Sequence, residues 1–231
     1  MFAVSYFNIN MVLTGLFAVG LIQLSWLAVI MRRAGVPPRT IWLSSQSLMA
    51  IWVVLWPAYT QIEWVGAGVL LWFGWLLWLS LAKTPFFLHL KQAWSVPGKG
   101  DDLFLWPPLS LALSLLVAAL FFYAIPEFGL GLALCAVWLF PLADLLDRFG
   151  WMKLQFPLHP NQTLVAHLAL IVMASLLCSW SIHLYHGMSW QQLWMATGIA
   201  GIAASLVRAL LPGWLNQPIA VLVIGGILWA L

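Results

Sequence analysis

Polar residues in this chain fall in short clusters between eight long apolar runs, near 11–31, 41–58, 64–82, 106–124, 128–143, 163–184, 191–211 and 214–231. A helix needs about 20 mostly apolar residues to cross a bilayer core. Lipid offers no partners to backbone amides and carbonyls, so only helices and closed barrels span it. Continuous apolar runs of this length mean helix. They predict an all-α fold, a polytopic transmembrane bundle of about eight spans, or seven should the last run fall short, forming a single integral membrane domain over 1–231.

Smaller features sit between and within the runs. Pro85, Pro97, Gly98 and Gly100 make the third gap irregular. Inside it, the apolar, aromatic segment 86–94 with Lys91 predicts a short helix lying in the interface plane. Pro107 and Pro108 suit the first turn of the fourth span, where a missing amide donor does no harm. Gly198, Gly201 and Ser205 place small residues at helical spacing in the seventh, a pattern that lets helix backbones approach closely. His159-Pro160 reads as a turn.

The positive charges add orientation. Arg32, Arg33 and Arg39 lie in the first gap, Lys83, Lys91 and Lys99 in the third, Arg148 and Lys153 in the fifth, and Arg208 at the edge of the seventh. The second, fourth and sixth gaps have none; they are brief and hold Glu63, Glu127 and His186. Cationic loops stay on the cytoplasmic side during insertion. The expectation is a multi-pass protein of a bacterial-type inner membrane, with both termini outside and its polar chemistry facing the cytoplasm. The first run is preceded by no basic residue and followed by no small-residue cleavage site, so it reads as an uncleaved first span.

Composition fits this picture. Of 231 residues, 64% are hydrophobic and 6% charged, against about 25% charged in an ordinary soluble domain. The net charge of +3 is spread over several loops and is read as topology signal and headgroup contact, with no nucleic acid as partner. Many of the 17 tryptophans lie near the ends of apolar runs, where amphipathic rings anchor helices at the interface. Cys135 and Cys178 lie inside predicted spans without metal-ligand spacing or obvious pairing, and read as buried free thiols.

Candidate chemistry gathers on the cationic side. Asp101, Asp102, Asp144 and Asp147 all fall there. Asp144 and Asp147, at i and i+3, share one helix face at the end of the fifth span. Carboxylates at a helix C-terminus oppose the macrodipole, so they need a compensating cation. Arg148 is one candidate; another is Mg²⁺, which takes one or two carboxylates plus phosphate oxygens. Arg148 and Lys153 follow, and Asn161, Gln162 and Thr163 open the sixth span, whose free amides suit an anion. These residues support a metal–phosphate site or, more plainly, a salt-bridged loop with a capped helix start. His167, one turn further on, reads as a neutral histidine bonding a neighbouring helix, though an ionisable group inside a membrane is also a functional candidate. Ser44, Ser45, Gln46 and Ser47 read as helix–helix hydrogen bonding or as the lining of a headgroup pocket.

Segment 143–167, ADLLDRFGWMKLQFPLHPNQTLVAH, resembles the signature loop of the CTP-dependent membrane lipid enzymes: phytol (polyprenol) and dolichol kinases and, more distantly, CDP-diacylglycerol synthases. Asp144 matches the family's acid, Arg148, Phe149, Gly150 and Lys153 its basic stretch, and Thr163 and Leu164 the start of its next helix. Segment 99–113 is similar to the family's entry to a central span, and 204–231 looks like its closing pair of helices. The resemblance implies a lipid-modifying phosphotransferase. Asp144, with Asp147 or with Asp101 and Asp102, would hold Mg²⁺ on CTP; Arg148, Lys153 and Arg208 would meet phosphate charge, and Asn161 and Thr163 would cradle a phosphate. A prenol or other membrane lipid would enter laterally as substrate. Phosphoryl transfer asks mainly for such positioning and charge stabilisation.

The chain departs from that pattern at telling places. Gln162 stands where the family has lysine, Val165 and Ala166 replace its Glu-Gly, Arg208 reverses the charge of an acid, and Asn216 replaces an aspartate. A divergent member with a rearranged site is one reading. The alternative is a catalytically degenerate relative that binds lipid or serves as a subunit of a membrane complex or homo-oligomer.

Overall fold

The computed structural model describes residues 8–97, 103–149, 152–156 and 159–230. Lys99, Asp101, Asp102 and Gly150, as well as Gly98 and Gly100 of the third gap, lie outside the described residues. Eight helical segments are long and apolar enough to cross a membrane: Ile9–Arg33, Pro38–Ala58, Glu63–Leu81, Trp106–Ala124, Pro126–Leu146, Leu164–His186, Trp190–Leu210 and Gly213–Ala230. This is the polytopic helical bundle the apolar runs predict, and each boundary lies within a few residues of the expected one.

In chain order, α1 is Ile9–Arg33. The second span is broken into α2 (Pro38–Leu48), α3 (Ala50–Val54) and a 3₁₀ turn at Trp56–Ala58 containing Pro57. Helix α4 is Glu63–Leu81 and α5, Pro85–Trp94, is the short helix expected in the third gap. A two-residue hairpin follows, β1 (Val96–Pro97) against β2 (Leu103–Phe104). Helix α6 is Trp106–Ala124, with Pro107 and Pro108 in its first turn. The fifth span is α7 (Pro126–Leu134), a π turn at Cys135–Leu139 and α8 (Phe140–Leu146). A 3₁₀ turn, Asp147–Phe149, leads to the hairpin β3 (Lys153–Phe156) and β4 (His159–Thr163). Helices α9 (Leu164–His186), α10 (Trp190–Leu210) and α11 (Gly213–Ala230) complete the bundle. His159-Pro160, expected as a turn, belongs to β4: 153–156 and 159–163 find each other as antiparallel partners, which satisfies backbone groups the irregular loop would leave bare.

The fifth span is the core. Of its most apolar stretch 72% is buried inside the protein, against 33–56% for the other spans. It packs between α6, α9 and α11, and its residues from Leu130 to Leu139 are enclosed apart from Trp138. The π turn in it leaves one carbonyl without its backbone partner. A π turn pairs each carbonyl with the amide five residues on, and for Ala136 that residue is Pro141, which has no N–H. The Ala136 carbonyl instead accepts the side-chain amides of Gln46 at 2.7 Å and Gln217 at 2.9 Å. Three spans are thereby tied to one backbone oxygen.

Close packing elsewhere follows the small residues. A Cβ on Gly201 would lie 2.7 Å from the carbonyl oxygen of Ile171, so glycine is what allows α9 and α10 to meet. Ser205, one turn on, hydrogen-bonds His167 of α9 at 2.7 Å. Gly187, at φ +62°, terminates α9 in the left-handed conformation that favours glycine. At the C-terminus of α4, Lys91 of α5 donates to the carbonyls of Ser80 (2.8 Å) and Ala82 (3.4 Å), where a cation meets the negative end of the helix.

Candidate functional site

The first, third, fifth and seventh connections bound one cavity of about 860 Å³ at one end of the bundle. Its wall carries Arg39 and Gln46 of α2, Trp94 of α5, Trp106 and Ser110 of α6, and Asp144 of α8. Asp147 and Arg148 of the following turn, Gln162 of β4, Arg208 of α10 and Gln217 of α11 complete it. The end is the one that carries the cations. The opposite end holds Glu127, bonded to His186 at 2.6 Å, and Asn10, whose side chain meets Thr60 and Gln61.

At the centre is a buried arginine. Arg208 is 2% exposed. Its Nη2 lies 3.0 Å from Oδ1 of Asp144 and 2.6 Å from Oδ2 of Asp147. The other oxygens are also engaged. Oδ2 of Asp144 faces Arg39 at 3.5 Å. Oδ1 of Asp147 accepts the backbone amide of Thr163 at 2.8 Å and its hydroxyl at 3.2 Å. Asp147 thus ends the fifth span and caps the entry to the sixth. Its charge opposes one helix dipole and favours the next, and the Arg208 guanidinium removes the remaining penalty. Thr163 passes the arrangement on, its hydroxyl accepting the Ala166 amide as a helix N-cap.

A second set of bonds holds Arg208 in place from behind. Its carbonyl accepts the side-chain amide of Gln162 at 3.0 Å. The Oε1 of that glutamine meets Nε2 of His167 at 2.8 Å, and Nδ1 of His167 meets Ser205. His167 is therefore a bridge between helices, as the simpler reading expects.

The expected site residues separate. Asp144, Asp147, Arg148 and Arg208 share the cavity wall. Lys153 is exposed on β3, paired in register with Thr163, and is not part of the lining. Asn161 lies in β4 beside the lining residue Gln162. Thr163, expected to offer its amide to a phosphate, gives it to Asp147 instead. Arg148, expected to offset the two aspartates, is exposed and donates to the hydroxyl of Thr40 at 3.2 Å; the offset comes from Arg208. The thiols of Cys135 and Cys178 are buried and free as expected, yet lie 3.9 Å apart.

A divalent cation does not fit between Asp144 and Asp147 in this geometry. All four carboxylate oxygens are engaged, and a guanidinium nitrogen stands between the two groups. No cluster of three or more histidine, cysteine or acidic side chains able to hold a metal occurs among the described residues.

No family model, curated protein or solved structure matches this chain.

Two features of the wall favour a ligand. Arg208 Nη1 and Ser110 Oγ are buried and have no hydrogen-bond partner among the described residues. Burying such groups unpaired is costly, most of all on a charged side chain. The rest of the wall is amide-rich and aromatic: Gln46, Gln162, Asn216 and Gln217 alternate with Trp42, Trp94, Trp106 and Trp214. The last two indoles lie 5.0 Å apart. Ser110 and Gln217 escape a sequence reading because a lone polar residue inside an apolar run signals no partner. Their one trace is that each interrupts a span near its cationic end.

Proposed function

We propose that this chain is a membrane-embedded binding protein that receives the anionic head of a membrane lipid or prenol derivative in the cavity at its cytoplasmic end. The observation that carries the reading is the buried Arg208 guanidinium at the cavity wall, with one nitrogen satisfied by two aspartates and another without an acceptor among the described residues. Ser110 adds a second unmet donor. Water-poor surroundings strengthen a charge-assisted hydrogen bond, so an anion placed there is held far better than at an exposed arginine. The cytoplasmic side follows from the cation-bearing connections, and the tryptophans suit a ligand that is apolar at one end and wet at the other.

The phosphotransferase reading rests on the resemblance of 143–167. It asks Asp144 to hold Mg²⁺ on CTP, and in this geometry both oxygens of Asp144 already face arginines. The binding role, alone or as a subunit of a membrane complex, therefore fits better. The deciding experiment uses the purified chain in lipid nanodiscs. Native mass spectrometry is expected to find anionic lipid retained, and Mg·CTP with a long-chain prenol is expected to give no phosphorylated product. Turnover that Asp144→Asn abolishes would establish the kinase reading in its place.

A further inference from the structure

We infer that Arg208 takes the position of a divalent cation in this cavity, and that the site is built to hold a singly charged phosphodiester without metal. The inference rests on the binding role proposed above and names its ligand.

The geometry points to this in three steps. Two carboxylates one helical turn apart, facing one cavity, form half of a Mg²⁺ site. Here Arg208 Nη2 stands between them, at 3.0 and 2.6 Å. A guanidinium carries one charge where the metal carries two, cannot be removed by chelation, and is fixed by the Gln162 contact to its own backbone. Its Nη1 then has no acceptor among the described residues. The group has a planar fork of donors; one prong faces the carboxylates and another is buried at the wall without a partner among the described residues.

Charge sets the number of ligand charges. Among the described residues, three arginines (Arg39, Arg148, Arg208) and two aspartates (Asp144, Asp147) line the cavity, a formal surplus of one positive charge. A monoanion balances it. A phosphomonoester or a pyrophosphate would bring further charge against Asp144 and Asp147 with no metal to screen it. Chemistry of the wall sets the rest. A bare carboxylate would satisfy the arginine and leave the Asn216 amide and the Ser110 hydroxyl of the wall without a ligand partner. A phosphodiester carries its single charge and a hydroxylated substituent beyond it, which that amide and the hydroxyl can bond.

The test measures affinity for the purified full chain in detergent micelles with three probes: phosphatidylglycerol, phosphatidic acid and soluble glycerophosphoglycerol. Phosphatidylglycerol is expected to bind at least tenfold more tightly than phosphatidic acid, and equally well in EDTA and in excess Mg²⁺. Ser110→Ala, which touches none of the ion pairs, is expected to weaken it severalfold. Arg208→Lys, which keeps the charge and loses the fork, is expected to weaken it tenfold or more. Arg208→Gln is expected to expose the two carboxylates and gain Mn²⁺ binding by paramagnetic resonance, a signal the unaltered chain lacks. Retained binding of glycerophosphoglycerol would show that the phosphodiester alone suffices; binding of the lipid only would show that the acyl chains contribute, and both support the assignment. Tighter binding of phosphatidic acid, loss of binding in EDTA, or a Mn²⁺ signal from the unaltered chain would overturn it while leaving a headgroup site in place. Failure of every lipid to bind would overturn the binding role as well.

Discussion

Arg208 Nη2 lies 2.6 Å from Oδ2 of Asp147, joining the end of the seventh span to the turn that closes the fifth. Both side chains are largely enclosed, at 3% and 11% exposure. Removing one partner of a buried pair leaves an uncompensated charge, at about 3–5 kcal/mol. Arg208→Met is therefore expected to lower the thermal unfolding midpoint in micelles sharply. Arg39→Met, which removes an arginine 58% exposed and 3.5 Å from Asp144, is expected to cost no more than about 1 kcal/mol. The triple change Arg208→Met with Asp144→Asn and Asp147→Asn is expected to recover most of the loss. Equal effects of the two single changes would show that the pair is not buried as described.

How much of this was legible beforehand varies by physical cause. The spans were, because an apolar run long enough to cross a bilayer is a local property. The shared face of Asp144 and Asp147 was also local, following from their spacing along one helix. Arg208 as their partner was not. It lies 61 and 64 positions away, and its charge-reversed place in the closing helices gave a clue without a contact. Arg148, the nearest cation in sequence, was the natural expectation, but the 3₁₀ turn at Asp147–Phe149 swings it away toward Thr40. The π turn was not legible, and which donors would rescue the stranded carbonyl depended on spans two and eight. The β3–β4 hairpin was hidden because 153–156 and 159–163 lack clean apolar alternation and are held by pairing with each other.

That rescue gives a second prediction. The Ala136 carbonyl accepts both Gln46 and Gln217, and Gln46 also donates to Gln217 at 3.4 Å. Either change alone, Gln46→Leu or Gln217→Leu, leaves the carbonyl one donor, and the expected loss is about 1 kcal/mol. The double change leaves a buried carbonyl unpaired. A double-mutant cycle on unfolding in bicelles is expected to show a loss exceeding the sum by about 1 kcal/mol or more. Strict additivity would mean that the two amides do not serve the same oxygen.

Helix contact through Gly201 gives a third. A methyl at this position would sit 2.7 Å from the Ile171 carbonyl oxygen, a backbone atom that cannot rotate aside. Gly201→Ala is expected to push α9 from α10 and destabilise the bundle by about 1–3 kcal/mol. Gly226→Ala, where nothing lies within 4 Å, serves as the matched control and is expected to be near neutral. The shift should also loosen the His167–Ser205 bond one turn away, so histidine ring resonances should move in the Gly201 variant and stay in place in the control.

The last prediction concerns sidedness, on which the binding role depends. Eight crossings put the connections after the odd-numbered spans on one side and those after the even-numbered spans on the other. Ala34 and Met152, both exposed, lie on the cation-bearing side; Gln61 and Met188, also exposed, lie on the other. The native thiols are buried, so single cysteines introduced at these four places can be labelled against a low background. In right-side-out bacterial vesicles, an impermeant maleimide is expected to label Gln61→Cys and Met188→Cys, and to reach Ala34→Cys and Met152→Cys only after permeabilisation. The inverse pattern would put the Arg208 cavity on the outer face, where its ligand would come from the outer leaflet. Labelling of Ala34→Cys and Met152→Cys from different sides would break the cavity itself, because its wall is drawn from both connections and needs them at the same end.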